Sequence, residues 1–360
     1  MEQIRREILD QGPLTFARFM QLALHHPEFG YYAAGPERLG ERGDFITASD
    51  LGPAFARAIA RQIEELDRLC GRPDPFDVIE FGAGRGLLAR DLTAVLDERF
   101  RYVAVDASAG MRRSIATVAP RAVVPSADAE LTPGSGCVLA MELFDALPVH
   151  RIARREGRLE ETGVTWDGER FIETTLEPSA EVRAWAERYG AAAEDGYEAE
   201  VCLGLDRQFA RFDRAIETGF ALVLDYGDTS GLLYGPDRKR GTLLAYSAQR
   251  TNEDYLARVG KQDLTAHVNF TALADVAAAR GWRAVGHSTQ DRFLIANGVL
   301  EPFDAIDEAA YRDPAEIEAR WRIKQLIQPG GMGRRFHVWI FCKGFEEIPA
   351  LSGLSDPFAR

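Results

Sequence analysis

The segment FDVIEFGAGRGL, residues 76–87, indicates the fold class because it joins a predicted strand, a turn and a helix without a break. Residues 76–81 are an apolar run with the length of a buried strand. Three alternating glycines fill residues 82–86, and the apolar spacing of residues 87–96 is that of a helix. A glycine turn between a strand and a helix is where a nucleotide-type ligand meets the sheet of an α/β protein.

The same alternation of buried strands and helices continues along the chain. We predict further strands at residues 102–105, 137–141, 220–225, 242–246, 282–287 and 335–342. Helices are predicted at residues 111–118 and 270–280. Strands that alternate with helices in this way predict an α/β fold built on a doubly wound, parallel sheet.

Two segments depart from this alternation. The N-terminal segment combines helices predicted at residues 14–24 and 51–69 with a long, glycine-punctuated loop. From residue 150 onward, the pair Asp167-Gly168 between two alternating runs predicts a hairpin, and helices follow at residues 180–189 and 205–216. We therefore divide the chain into N-terminal helices with a loop, a first half of the sheet, an inserted α+β subdomain, the rest of the sheet and a tail, at residues 1–75, 76–149, 150–218, 219–345 and 346–360.

Composition excludes several classes of protein. The chain has 360 residues, 46% of them apolar and 28% charged, which is typical of a globular protein and not of a disordered one. Its formal net charge of −13 excludes a non-specific nucleic-acid binder that relies on counterion release. No apolar run approaches the roughly 20 residues that a membrane span needs. We expect neither nucleic acid nor membrane among its partners.

The cysteines and the first residues indicate a compartment. The four cysteines lie too far apart in sequence to form a Cys-x-x-Cys pair, so we predict a reducing environment and no metal site. Residues 1–16 contain no apolar core of the kind found in signal peptides. We therefore expect a cytoplasmic location.

The spacing of the glycines narrows the choice of ligand for the turn. A dinucleotide fingerprint would need its third glycine at position 87, where Leu87 stands. The observed pattern, Gly-x-Gly-x-Gly after the acidic Glu80, resembles the first motif of class I S-adenosylmethionine methyltransferases. The resemblance implies S-adenosylmethionine as the cofactor, with Glu80, Gly82, Gly84 and Gly86 at its site.

Two aspartates extend this prediction. Asp106 ends the strand that follows the glycine turn, at a spacing suited to the two hydroxyls of a ribose. Asp128 lies where a methyltransferase of this class receives the adenine amino group. An alternative is that Asp128 only caps the turn before Leu131.

Seven blocks, read in order, resemble the MidA-like methyltransferases, a family that includes an arginine methyltransferase involved in assembly of mitochondrial complex I. Besides the glycine turn, the blocks are HPEFGYY (26–32), GERGDFIT (40–47), ELFDALPV (142–149), LDYG (224–227), DLTAHVNF (263–270) and MGRRF (332–336). Together with the helix that starts at residue 14, they extend to about residue 340. The resemblance implies a class I, Rossmann-like methyltransferase fold.

The chain departs from the family pattern at two positions. Met141 stands where the family usually has asparagine, and Asn269 stands where it usually has aspartate. Both positions are expected near the end of the site that receives the methyl acceptor.

The family match also implies roles for the loop around Asp44. Gly43, Asp44 and Phe45 would form a lid over the methyl donor. The alternative is that Asp44 is a solvated loop carboxylate.

Three residues are candidates for catalysis. Glu142 and Asp145 follow the strand at residues 137–141, and two carboxylates there can hold a guanidinium cation and orient its nitrogen. Alternatively, Asp145 caps the next turn and Glu142 touches only the cofactor. His267, as a neutral imidazole, can accept the proton that the acceptor releases, unless it is structural.

These observations predict a methyltransferase that acts on a protein arginine, with the inserted subdomain supplying the acceptor surface. Two alternatives stay open, namely a methyltransferase of small metabolites and a non-catalytic assembly factor that keeps the cofactor fold. The glycine turn and the ribose carboxylate favour an enzyme. Both a monomer and a homodimer are consistent with the sequence.

Overall fold

The apolar run before the glycine turn is a fully buried strand, Phe76–Phe81, which pairs with a neighbour on each side. It belongs to a computed structural model that describes residues 1–38, 40, 43–44, 46–126, 129–303 and 313–358. Two predicted site residues, Phe45 and Asp128, therefore lie outside the described residues.

Helices and strands occur throughout the described parts of the chain. The α-helices are α1 (Glu2–Gln11), α2 (Phe16–His25), α3 (Pro53–Leu69), α4 (Leu87–Val95), α5 (Ala109–Val118), α6 (Ala180–Tyr189), α7 (Leu205–Ala215), α8 (Ser230–Leu233), α9 (Phe270–Ala279), α10 (Gln290–Ala296), α11 (Pro314–Ile327) and α12 (Met332–Arg335). The strands are β1 (Leu14–Thr15), β2 (Phe76–Phe81), β3 (Phe100–Val105), β4 (Gly134–Met141), β5 (His150–Arg155), β6 (Arg158–Trp166), β7 (Phe171–Leu176), β8 (Glu198–Val201), β9 (Ile216–Asp228), β10 (Leu244–Ser247), β11 (Arg250–Asn252), β12 (Asp263–Thr265), β13 (Val268–Asn269), β14 (Arg283–Thr289) and β15 (Phe336–Lys343). Short 3₁₀ helices lie at Tyr31–Ala34, Pro36–Arg38, Ala48–Leu51, Pro236–Arg238, Glu301–Phe303 and Ser352–Leu354.

The main sheet has the strand order β14-β15-β9-β4-β2-β3, and β13 pairs with β9. Strands β3, β2, β4 and β9 are parallel, whereas β15 runs antiparallel to both of its neighbours. The predicted doubly wound α/β fold is confirmed, with one reversed strand. Because the four parallel strands point the same way, the loops that follow them meet at one edge of the sheet.

Helices cover both faces of the main sheet. On one face, Ile59 of α3 and Leu92 of α4 join a buried cluster with Phe293 of α10. On the other face, Phe209 of α7 and Leu273 of α9 belong to a second buried cluster. Burial on both faces explains why β2 reads as a continuous apolar run instead of an alternating one. Among the described residues, no helix combines the length and the apolar character that crossing a membrane requires.

A second sheet joins the N-terminal segment to the insertion. Its strand order is β1-β6-β5-β8, with β7 also paired to β6, and Leu14 of β1 lies opposite Val164 of β6. The apolar face of α2 packs on this sheet through Phe16 and Phe19, which share a buried cluster with Phe171 of β7. The two segments thus share one core, and the domain boundaries drawn from the sequence stay a prediction.

Two details of the predicted elements are wrong. The helix predicted at residues 14–24 is α2, which begins at Phe16, because the Thr15 hydroxyl accepts a hydrogen bond from the Arg18 N–H at 3.2 Å and caps the helix. The strand expected at residues 242–246 does not continue the main sheet. It is β10 of a small sheet with the order β11-β10-β12, because Ala245 is buried in the cluster around α2.

Candidate active site

A cavity of about 1070 Å³ lies along the carboxyl edge of the main sheet. The turn after β2, the residues that follow β3 and β4, and the last residues of β9 form one side of it. Residues 46–50 of the N-terminal segment and Tyr246 of β10 belong to other walls. In the part of the chain that the structure describes, none of residues 150–206 lines this cavity, whereas Arg207, Gln208 and Arg211 of α7 do. A role of the inserted sheet in acceptor binding stays a prediction.

The three glycines of the turn have positive φ angles of 76°, 53° and 83° at Gly82, Gly84 and Gly86. Residues with a side chain rarely adopt this conformation. Gly82 and Gly84 line the cavity. Gly86 instead faces α5, where an added Cβ would lie 2.9 Å from the Ile115 Cα. Two of the predicted glycines therefore bring backbone to the cavity, and the third permits close packing behind it.

Asp106 follows β3 and lines the cavity beside the glycine turn. Its Oδ2 accepts a hydrogen bond from the Gly84 N–H at 2.9 Å, and its Oδ1 accepts one from the Ser108 N–H at 2.8 Å. Burial raises the pKa of Asp106, and these N–H groups oppose that shift. Each carboxylate oxygen keeps a second lone pair, so both can still accept hydrogen bonds from a ligand.

Glu80, the acidic residue before the turn, is a buried residue of β2, the strand between β3 and β4. It accepts a hydrogen bond from the Tyr102 hydroxyl at 2.7 Å, and it also borders the cavity. Burial raises the pKa of Glu80 to about 8.

Asp44 anchors the glycine-punctuated loop of the N-terminal segment through hydrogen bonds. The Asp44 carboxylate accepts hydrogen bonds from the Tyr31 hydroxyl at 2.8 Å and from the Ala248 N–H at 2.6 Å. Its carbonyl accepts a third from the Gln249 N–H at 2.9 Å. Asp44 is half-buried and is not among the described residues that line the cavity, and its hydrogen bonds anchor the segment just before the wall at residues 46–50. A lid role for this loop stays a prediction.

Glu142 occupies the turn directly after β4. It has a positive φ of 52°, and its N–H donates to the Leu224 carbonyl at 2.8 Å. Its Oε1 accepts a hydrogen bond from the Ala48 N–H at 3.0 Å, so this side chain joins the sheet edge to the opposite wall. Burial raises the pKa of Glu142 to about 8.

The backbone at Asp145 is held in place by Asp225 of β9. Oδ2 of Asp225 accepts hydrogen bonds from the N–H groups of Phe144, at 2.8 Å, and Asp145, at 3.3 Å. Burial raises the pKa of Asp145, and the neighbouring Tyr226 hydroxyl opposes this shift. Oδ1 of Asp145 has no hydrogen-bond partner among the described residues, although the residue is only 6% exposed and lines the cavity. A buried acceptor of this kind is costly unless a ligand satisfies it.

A third carboxylate, Asp263 of β12, lies near the first two. It accepts hydrogen bonds from the Tyr32 hydroxyl at 2.9 Å and from its neighbour's backbone N–H, at Leu264, at 3.0 Å. Burial, followed by the negative charge of Asp145, raises the pKa of Asp263 to about 8. We call Glu142, Asp145 and Asp263 the acidic floor of the cavity.

His267 also lines the cavity, but its bonding disfavours the predicted role of proton acceptor. Arg238 Nη1 lies 2.8 Å from His267 Nδ1. Because a guanidinium can only donate, Nδ1 must be the acceptor and Nε2 carries the proton. Burial, together with the charges of Arg238 and Arg335, lowers the pKa of His267 to about 4. The imidazole is therefore a neutral part of the wall.

The two departures from the family pattern lie in different places. Met141 lines the cavity at the end of β4. Asn269 instead caps α9, where its Oδ1 accepts hydrogen bonds from the Ala272 N–H at 3.0 Å and the Ser230 hydroxyl at 2.9 Å. The expectation that both lie at the acceptor end is wrong for Asn269.

Comparison with known proteins identifies the family to which the chain belongs. Residues 58–288 match the model of a family described as "putative S-adenosyl-L-methionine-dependent methyltransferase". The chain belongs to this family. The predictions of a methyltransferase, of its class I fold and of S-adenosylmethionine as its cofactor are confirmed.

Individual relatives agree with this assignment. The mitochondrial protein arginine methyltransferase NDUFAF7 homolog of Drosophila melanogaster is 28% identical over 375 residues, covering 93% of this methyltransferase and 83% of that protein. Its mouse counterpart is 26% identical over 379 residues, covering 94% and 83%. A crystal structure from Burkholderia thailandensis with bound S-adenosyl-homocysteine is 30% identical, with a TM-score of 0.85 and coverage of 98% and 93%.

These relatives contradict the prediction of a cytoplasmic location, because the two named enzymes are mitochondrial. The prediction is wrong on this comparison. It rested on widely spaced cysteines and on the lack of an apolar signal-peptide core in residues 1–16, and neither observation distinguishes one reducing compartment from another.

The residues at the end of the cavity beside the glycine turn fit the cofactor. Asp106 offers free lone pairs to a ribose, and the glycine turn brings backbone to the cavity wall without side chains that would fill it. The cavity exceeds the roughly 300–1,000 Å³ of ordinary ligand pockets, so it has room for the cofactor and for an acceptor side chain. Individual contacts with the cofactor stay predictions.

Proposed function

We propose that this methyltransferase transfers a methyl group to the guanidinium of an arginine side chain in a protein. The observation that carries the proposal is the buried Oδ1 of Asp145 on the acidic floor, for which the described residues supply no hydrogen-bond partner. The names of the mitochondrial relatives, protein arginine methyltransferases, support the same acceptor.

Electrostatics favour a cationic acceptor. Burial raises the pKa of each acidic-floor carboxyl, and the negative charge of Asp145 raises the pKa values of Glu142 and Asp263 further. A guanidinium placed among them lowers these pKa values, because an opposite charge favours the ionised carboxylate. Its planar N–H groups can also satisfy Oδ1 of Asp145.

Bound S-adenosylmethionine supplies an electrophilic methyl group. Methyl transfer forms a nitrogen–carbon bond while the sulfur–carbon bond breaks, and the nitrogen loses one proton. Asp145 and Glu142 hold and orient the guanidinium, which is the main requirement of an in-line displacement. A carboxylate of raised pKa can also receive the released proton. The neutral His267 is not needed for this step.

Replacing Asp145 tests the acceptor. We expect Asp145→Asn to lower turnover about 10²-fold, or about 2.7 kcal/mol of transition-state stabilisation, because the amide cannot neutralise a guanidinium. Affinity for S-adenosyl-homocysteine, measured by calorimetry, should change little. Asp237→Asn, at an exposed carboxylate outside the cavity lining, is the matched control and should behave as wild type.

The acceptor itself is identified with methyl-labelled cofactor and cell extract. We expect label in protein and, after acid hydrolysis, in methylated arginine. Label confined to small molecules, or wild-type turnover by Asp145→Asn, would contradict an arginine acceptor while leaving the methyltransferase assignment intact.

A further inference from the structure

Gln208 of α7 has a buried side-chain N–H group that no described residue accepts. The residue is 5% exposed, and it lines the cavity. Its Nε2 has no hydrogen-bond partner among the described residues. Its Oε1 accepts a hydrogen bond from Arg211 Nη1 at 3.2 Å. Since a guanidinium can only donate, this contact fixes the amide oxygen toward Arg211 and turns the amide nitrogen the other way.

The neighbours of Gln208 place it near the glycine turn, at the end of the cavity that would bind the methyl donor. The Arg211 guanidinium lies over the ring of Phe81, 4.7 Å from its centroid, and Phe81 directly precedes the glycine turn. The charge of Arg211 also acts on Asp106, where it opposes the rise in that carboxyl's pKa. This face of α7 therefore meets the cavity beside the ends of β2 and β3.

We propose that Gln208 is a further cofactor-binding residue. Its Nε2–H donates to an acceptor atom of the nucleoside part of S-adenosylmethionine, either a ring nitrogen of adenine or an oxygen of the ribose. Arg211 is a positioning residue that holds the amide in this orientation. The cost of burying an unpaired N–H is then removed when the cofactor binds.

Two substitutions at position 208 separate the proposed role from a structural one. Gln208→Glu keeps an acceptor for Arg211 and removes the donor, whereas Gln208→Leu removes both. We expect calorimetry of the full chain to show weaker binding of S-adenosyl-homocysteine by both variants, about 3–10-fold for leucine and at least as much for glutamate. If the residue served only to hold Arg211, glutamate would bind as wild type, and that result would overturn the proposal.

Fragments of the ligand locate the contact. 5′-Methylthioadenosine, which lacks the amino-acid part, should lose the same fold of affinity in both variants. An undiminished affinity for this fragment would overturn the nucleoside assignment. Deaza analogues, in which one ring nitrogen is replaced by carbon, should then show no effect of Gln208→Leu if that nitrogen is the acceptor. A full effect with every analogue assigns the contact to the ribose.

Arg211 is tested by its dependence on Gln208. We expect Arg211→Met to weaken binding in the wild type and to have little further effect in Gln208→Leu. Arg211→Lys, which keeps a donor, should restore most of the affinity. Additive losses in the double variant would contradict a positioning role. Thermal unfolding without ligand checks that each variant is folded.

Discussion

Glu80 shows how burial at a single residue makes the stability of the protein depend on pH. In the folded protein its pKa is raised to about 8 by burial, against an ordinary value of 4.5. Between these values, the folded state holds a proton that the unfolded chain releases. Raising the pH therefore lowers the free energy of unfolding, by at most about 1.4 kcal/mol per pH unit.

We predict that Glu80→Gln reduces this loss of stability, because the amide has no proton to release and can still accept from Tyr102. Urea unfolding at pH 5, 7 and 9 measures the effect. The variant should gain stability relative to wild type as the pH rises, whereas the exposed Glu217→Gln should show no such trend. A constant difference across this range would mean that Glu80 is ionised in the folded state.

Site residues that belong to motifs could be predicted from the sequence, whereas those whose role depends on contacts between distant parts of the chain could not. Asp106 and Glu142 were predictable because each follows a predicted strand. The role of Asp225 was not predictable, since it accepts hydrogen bonds from the backbone of a turn about 80 residues earlier. Gln208 lies in the inserted region, and the only signal for it is a polar side chain on the buried face of an amphipathic helix.

At the scale of elements, the turn between β2 and α4 depends on close packing at Gly86. We predict that Gly86→Ala is more destabilising than Gly71→Ala, although both glycines have similar φ angles, 83° and 79°. Each substitution carries a left-handed backbone cost of about 1–2 kcal/mol. Only at position 86 does the new Cβ meet backbone, 2.9 Å from the Ile115 Cα, whereas Gly71 has nothing within 4 Å. Urea unfolding should show about 1–3 kcal/mol of additional loss at Gly86, and equal losses would contradict this packing argument.

The elements of the main sheet were predictable because their apolar runs are continuous and their glycine turn is specific. Strand β10 was not assignable, because a short apolar run gives no information about which sheet it joins. Its Ala245 is buried against the cluster around α2, far away in sequence. Local patterns predict that an element exists, and only tertiary packing determines its partner.

At the scale of the whole molecule, the insertion and the N-terminal segment are stabilised together. Phe171 of β7 packs edge-on against Phe19 of α2, with ring centroids 5.7 Å apart. We predict that Phe171→Ala lowers the free energy of unfolding by about 3–5 kcal/mol. Amide exchange should increase in α2, and less in α9 on the main sheet. The matched variant Phe209→Ala, in the core that contains α9, should reverse this order. Equal increases in both helices for both variants would show that the two cores open as one unit.

The contact between Phe19 and Phe171 also has a consequence for synthesis of the chain. The partner of Phe19 is translated 152 residues later, which takes about 8–30 s at 5–20 residues per second. Throughout that interval the apolar face of α2 has left the ribosome without the strand that covers it. The nascent chain is therefore exposed to aggregation early, and its N-terminal core closes only after the first half of the main sheet has been translated.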